Sequence, residues 1–228
     1  MEDLLSAINT AISLIITWNP DVIEITSRTL EITFTSVVLS TIIALPLGTL
    51  INFNSFRGKK TLISLIQTLY SLPTVIVGLV CYMLLSRTGP LGFLGFLFTP
   101  NGMIFGQTIL IIPIMTGMTI SALQGINPII TDTIRSLGAS KFQFLTSHIR
   151  EARFAIMAAV VIGFSRAISE VGAAIMIGGN IKGHTRVLTT AISLQTSMGN
   201  FTLSLALGII LLGIALIINL LMGYLQQR

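Results

Sequence analysis

The run ITFTSVVLSTIIALPLGTLINFNSF, Ile32 to Phe56, contains no Asp, Glu, Lys or Arg. A bilayer core of about 30 Å is crossed by roughly 20 apolar residues coiled as a helix, so this stretch is long enough to span a membrane. Thr61 to Ser86, Thr88 to Thr131 and Val187 to Gln227 are equally free of charge. Across the 228 residues, 53% are hydrophobic and 9% charged, and the mean hydropathy is +0.91. Ordinary soluble domains carry about 25% charged residues, so the composition excludes that class and gives an all-α polytopic membrane protein.

Five spans are predicted, at about 29–53, 61–86, 101–122, 154–178 and 201–225, with a cytoplasmic loop over about 125–153. Ahead of them, LLSAINTAISLIITW, Leu4 to Trp18, is too short to cross comfortably. Its polar members Ser6, Asn9, Thr10, Ser13 and Thr17 recur at helical spacing, which predicts an amphipathic helix within residues 1–20, lying at the interface or against other spans. Pro20 ends it, and Asp21, Glu24 and Glu31 lead into the transmembrane domain, residues 21–228. Pro46, Pro73 and Pro113 are expected inside spans, each removing one backbone hydrogen bond and favouring a kink. Arg87 to Gly102, RTGPLGFLGFLFTPNG, reads as a short re-entrant or surface element, and Gly102 with Gly106 as a GxxxG pair suited to close helix packing.

The formal net charge of +5 suggests nucleic acid only until the cations are placed. Arg57, Lys59, Lys60, Arg135, Lys141, Arg150, Arg153 and Arg228, eight of the thirteen, fall on one side of this arrangement. Arg28, Arg87, Lys182 and Arg186 fall on the other, and Arg166 lies within a span. Positive charge marks the cytoplasmic side, which puts the N-terminus outside and the C-terminus inside a plasma membrane. There is no basic patch with interleaved aromatics, hence no nucleic-acid partner is expected. Glu2 and Asp3 have the wrong sign for a signal-peptide n-region, so the N-terminus is expected to stay on the mature protein.

Catalytic chemistry finds no foothold. The lone cysteine, Cys81, sits in an apolar run, His148 and His184 stand isolated at interfacial positions, and no HExxH, triad or carboxylate pair occurs. No catalytic residue, metal site or cofactor is therefore assigned. GGNIKGHT, Gly178 to Thr185, spaces Gly178 and Gly183 as a P-loop does, but His184 replaces the obligatory lysine and a membrane helix precedes it. It is expected to be a flexible external turn. Any ATP hydrolysis belongs to another chain.

The loop NPIITDTIRSLGASKFQFLTSHIREARF, Asn127 to Phe154, is punctuated for two helices. Asn127 suits an N-cap, Pro128 the first helical position, and Gly138 a left-handed stop. Ser140 with Gln143 makes a capping box that opens a second helix running toward the fourth span. A rigid elbow of this kind is what a helix bundle needs if a separate soluble motor is to push on it.

At this loop the sequence resembles the MetI-like permeases of binding-protein-dependent ABC importers, whose signature is Glu-Ala-Ala, three residues, Gly, nine residues, then Ile-x-Leu-Pro. Asp132, Thr133 and Ile134 stand at the Glu-Ala-Ala positions, Gly138 matches, Ala139 and Ser140 follow, and His148, Ile149, Arg150 and Glu151 replace the closing element. A narrower resemblance covers Ser71 to Gly92 and Phe164 to Ile192, which are similar to permeases of tungstate importers and somewhat less to those of molybdate importers. The resemblance implies a MetI-like bundle working as a homodimer, with the pathway between the copies. It also implies two ATPase subunits, an external substrate-binding protein and a coupling surface at Asp132, Arg135, Gly138, Ala139, Ser140, Lys141 and Gln143. A motor-independent secondary transporter would show inverted repeats, and none is visible.

Arg166 and Glu170 lie four apart, on one face of the fourth span. Ionisable groups inside a membrane are expensive and mark function by default. Two readings stand: a mutually neutralising pair that locks packing, or an arginine that draws a dianion into the pathway. A strong static site would hinder release.

Overall fold

The computed structural model describes residues 2–227, which are helical throughout their regular structure. The first long helix begins earlier than its charge-free run. After α1 (Glu2–Ile16), the Asn19 side chain accepts the N–H groups of Asp21 and Val22, Pro20 occupies the first turn, and α2 runs unbroken from Pro20 to Phe53. At 1.5 Å per residue its 34 residues measure about 51 Å, so the charged first turns project beyond a 30 Å core. There Arg28 bridges Glu24 at 3.7 Å and Glu31 at 3.8 Å.

Small and hydroxylic side chains bring α2 against α5 (Pro100–Gln124) to form the centre of the bundle. Ser36 donates to Ile104 O and Ser40 to Thr108 O, both at 3.3 Å. A Cβ on Gly48 would stand 2.9 Å from Thr116 O, so only glycine permits the approach. Val37 and Ala44 of α2, Ile111 and Met115 of α5, and Phe164, Ala167 and Ile168 of α8 (Arg153–Ile168) close a common core.

Two expected spans are broken. Residues 61–86 form α3 (Lys59–Leu69) and α4 (Thr74–Leu85), which meet at 98°, and Pro73 caps α4 instead of kinking a continuous helix. Proline disfavours helical geometry in the residue before it, and it has no N–H to continue the ladder, so the chain turns at Ser71 and Leu72. Residues 154–178 form α8 and α9 (Gly172–Gly178), bent by 59°. Pro46 and Pro113 do lie inside α2 and α5. Among the described residues, three helices are long and apolar enough to cross a membrane, or up to five spans if each bent pair is one.

Between Arg87 and Gly102 the chain makes one 3₁₀ turn, Gly92–Leu94, before Thr99 caps α5. Gly102 and Gly106 pack on Ile177 of α9, a contact within the chain. A helix not foreseen, α10 (Leu188–Ser197), precedes α11 (Phe201–Gln227). The expected flexible turn at Gly178–Thr185 is instead tied: the Thr185 hydroxyl donates to Gly178 O at 2.5 Å and accepts from Ile181 N–H at 3.0 Å, and Arg186 Nε donates to Asn180 Oδ1. Lys182 pairs with Asp21 at 2.8 Å. The short α1 lies along α11 through buried Ala7 and Ala11, and Leu5, Ile8, Ile12 and Ile15 face outward.

Candidate functional site

The elbow is built as its punctuation demands. Asn127 Oδ1 accepts Ile129 N–H at 3.0 Å to start α6 (Pro128–Ser136). Gly138 turns the chain at φ +72°, a conformation that costs a Cβ-bearing residue steric strain. Gln143 N–H then donates to Ser140 Oγ at 3.3 Å, and Ser140 N–H to Gln143 Oε1 at 2.8 Å, opening α7 (Lys141–Glu151). Only Ala152 separates α7 from α8. Asp132, Arg135, Gly138, Ser140, Lys141 and Gln143 are exposed on this elbow and Ala139 is half-buried. Leu137 and Phe142 flank the glycine turn with apolar side chains in the open, at 79% and 76% exposure.

His148 is buried in the elbow, not interfacial. Its Nδ1 lies 2.8 Å from Phe144 O and its Nε2 3.0 Å from the Thr131 hydroxyl; Nδ1–H donating to the carbonyl leaves Nε2 to accept from the threonine. The ring meets Phe53, the last residue of α2, edge-on at 5.0 Å and Phe144 at 4.1 Å, and the Arg135 guanidinium lies 5.4 Å over Phe144. One imidazole thus joins α6, α7 and the end of α2. Neither Thr131 nor Phe53 is close to His148 in sequence, so no local spacing announced the cluster.

About 20 Å along α8, at 1.5 Å per residue from Arg153, Arg166 Nη1 pairs with Glu170 Oε2 at 2.9 Å. The second carboxylate oxygen accepts Ala173 N–H at 2.9 Å in the first turn of α9, and Glu170 O accepts the Thr189 hydroxyl at 2.8 Å. Glu170 therefore holds the corner between α8 and α9 and ties it to α10. It is 3% exposed, whereas the Arg166 side chain remains 32% exposed. Around Arg166, Ser165 donates to Asn219 of α11 at 3.2 Å, and Ser169 is exposed beside them. Polar groups so form a seam on an otherwise apolar pair of helices. The elbow residues and this pair occupy opposite ends of α8, which is a continuous rod between them. Among the described residues, no group of three or more His, Cys, Asp or Glu could hold a metal ion.

Residues 40–228 match the model of the family described as binding-protein-dependent transport system inner membrane component. The chain belongs to this family. Its membership makes it a multi-pass inner-membrane component of a transport system that depends on a binding protein. Over its full length the permease is 39% identical to the tungstate uptake system permease protein TupB of Peptoclostridium acidaminophilum, covering 100% of both chains. It is 40% identical over 167 residues to the TupB protein of Campylobacter jejuni, covering 73% of this chain and 70% of that one. The fold is that of the MetNI methionine ABC transporter in its inward-facing conformation: TM-score 0.69 at 19% identity, over 91% of this chain and 93% of the other.

Proposed function

We propose that this permease forms the membrane pathway of an ATP-driven importer of tungstate, acting as a homodimer with two ATPase subunits and an external binding protein. The observation that carries the cargo is its full-length similarity to a tungstate uptake permease. Molybdate, of the same charge and nearly the same size, is the close alternative cargo, and the discrimination belongs to a fitted binding-protein site.

The α6–α7 elbow is the coupling surface, where Leu137 and Phe142 enter a groove of the ATPase and Asp132, Arg135, Lys141 and Gln143 rim the contact. Exposed apolar residues beside a rigid turn, with charges around them, suit a partner of defined shape. Force applied there travels along α8, which carries Arg166 and ends just before Glu170. ATP is hydrolysed by the partner: the stretch spaced like a P-loop, Gly178 to Thr185, carries His184 in place of its lysine. The elbow end is cytoplasmic and the N-terminus outside: the contact of Phe53 with His148 supports placing Arg57, Lys59 and Lys60 at the same end as Arg135, Lys141, Arg150 and Arg153.

Proteoliposomes carrying permease, ATPase and binding protein should take up tungstate only with ATP, with sulfate a poor competitor. Uptake that ignores tungstate and follows sulfate, phosphate or an amino acid overturns the cargo and leaves the importer. Uptake by the permease alone overturns the importer.

A further inference from the structure

Where the elbow joins α8 lies a cavity of about 500 Å³, a size typical of small-ligand pockets. Ile130 and Ile134 line it from one face of α6, and Asp132 lies about 200° round the helix from Ile130, on the face that carries the coupling contact. Arg150, in the last turn of α7, and Arg153, the first residue of α8, supply its charge. Arg150 stands where the permease signature has its leucine, so the departure from that pattern brings a guanidinium to this cavity. Both arginines are exposed, and among the described residues neither forms an ion pair. Arg153 is held 4.6 Å over the Phe154 ring. Ser147 also lines the cavity; Thr146 beside it returns its hydroxyl to Phe142 O at 2.9 Å, whereas among the described residues the Ser147 hydroxyl has no acceptor. Glu151 is the one carboxylate at the rim, against two cations.

Depth selects the ligand. No charge follows Arg153 from Phe154 to Ser165, so the two guanidinium groups stand where the span enters the bilayer, at headgroup level. A second cleft of about 370 Å³ shares Ile130 and Glu151 with the first and runs onto Ala122 and Gly125 of the α5 end and Ala155 of α8. Charge in one compartment and small side chains in the next suit an amphiphile better than a free anion. We propose that the cavity binds the headgroup of an anionic phospholipid. Arg150, Arg153 and Ser147 donate to its phosphodiester oxygens, and its glycerol and first acyl carbons follow the cleft between α5 and α8. The proposal needs neither the cargo nor the motor of the importer reading, only that α8 crosses a membrane.

The purified permease in neutral detergent, alone and with its ATPase, is given dioleoylphosphatidylglycerol or dioleoylphosphatidylcholine, and bound lipid is counted by native mass spectrometry. Phosphatidylglycerol should be held about ten-fold more tightly than phosphatidylcholine. Arg150→Gln combined with Arg153→Gln should weaken it about thirty-fold, about five-fold for each cation near the membrane surface. Lys60→Gln, which removes an exposed cation outside the cavity, should leave it unchanged. Glu151→Gln should tighten it about five-fold, a gain that misfolding does not imitate. Equal losses in the Lys60 and arginine variants, or no loss in the latter, overturn the proposal. Release of the lipid when the ATPase docks also overturns it and gives the arginines to the protein partner. Displacement by millimolar inorganic phosphate overturns it in favour of a free anion.

Discussion

Removing one member of the Arg166–Glu170 pair should cost more than its share of removing both. Arg166→Met strands a carboxylate that is 3% exposed and keeps only the Ala173 amide. A partner lost from a buried pair costs about 3–5 kcal/mol. Glu170→Ala strands the guanidinium instead, but with a third of that side chain exposed, water compensates, and the charge term falls to about 1–2 kcal/mol. The orphaned Ala173 amide adds about 1 kcal/mol and the vacated volume about 2–3 kcal/mol. Both costs recur in the double variant and cancel in the cycle, so the coupling is the two charge terms together, about 4–7 kcal/mol. Reversible unfolding of the four proteins in mixed micelles, followed by circular dichroism, measures it as a double-mutant cycle. Coupling below about 0.5 kcal/mol would refute the lock and leave the two charges separately solvated.

Gly138→Val introduces a β-branched residue at φ +72°, with no atom within 4 Å of its Cβ. The turn alone therefore suffers, by about 1–2 kcal/mol, and ATP-driven uptake should fall with the protein still inserted; unchanged uptake would remove Gly138 from the coupling surface. His148→Phe keeps the ring among Phe53 and Phe144 but abolishes two hydrogen bonds, about 1 kcal/mol each. More ATP should then be hydrolysed per anion imported, and a wild-type ratio would confine His148 to local packing. In a Cys81→Ala background, a cysteine at Lys59 should react with an impermeant reagent only from inside and one at Gly199 only from outside; the reverse pattern inverts the orientation.

What the sequence made legible was local. The elbow could be read because Asn127, Pro128, Gly138, Ser140 and Gln143 act within a few residues of one another, and backbone capping leaves little freedom in how they fold. The four-residue spacing of Arg166 and Glu170 announced their pairing, although α8 ends at Ile168 and Glu170 reaches the arginine from the corner before α9. Hydropathy marked the membrane segments but not their breaks: an apolar run looks alike whether straight or bent, and Pro73 was as compatible with a kink as with the turn it makes. The place of His148 depends on Thr131 and Phe53, which only the packed bundle brings alongside. The fastening of Gly178–Thr185 rested on a threonine whose acceptor is a helix-terminal carbonyl, a pairing with no periodicity to reveal it.

The bend ahead of Pro73 bears on whether one copy can be at rest in a bilayer. The twelve residues of α4 reach about 18 Å against a hydrocarbon thickness of about 30 Å, and α3 departs at 98°. With α4 upright, one of its ends stops among the acyl chains wherever the midplane is drawn. The connecting residues Ser71, Leu72 and Pro73 are exposed on the single chain, and the first amides of a helix have no acceptor within it. Lipid tails offer none, so with this end at hydrocarbon depth the perimeter there must meet protein or an aqueous cavity. Diluting the chain in lipid until it stands alone would then have to desolvate backbone as well as separate side chains, and its tendency to associate should exceed what its apolar contact area alone would give.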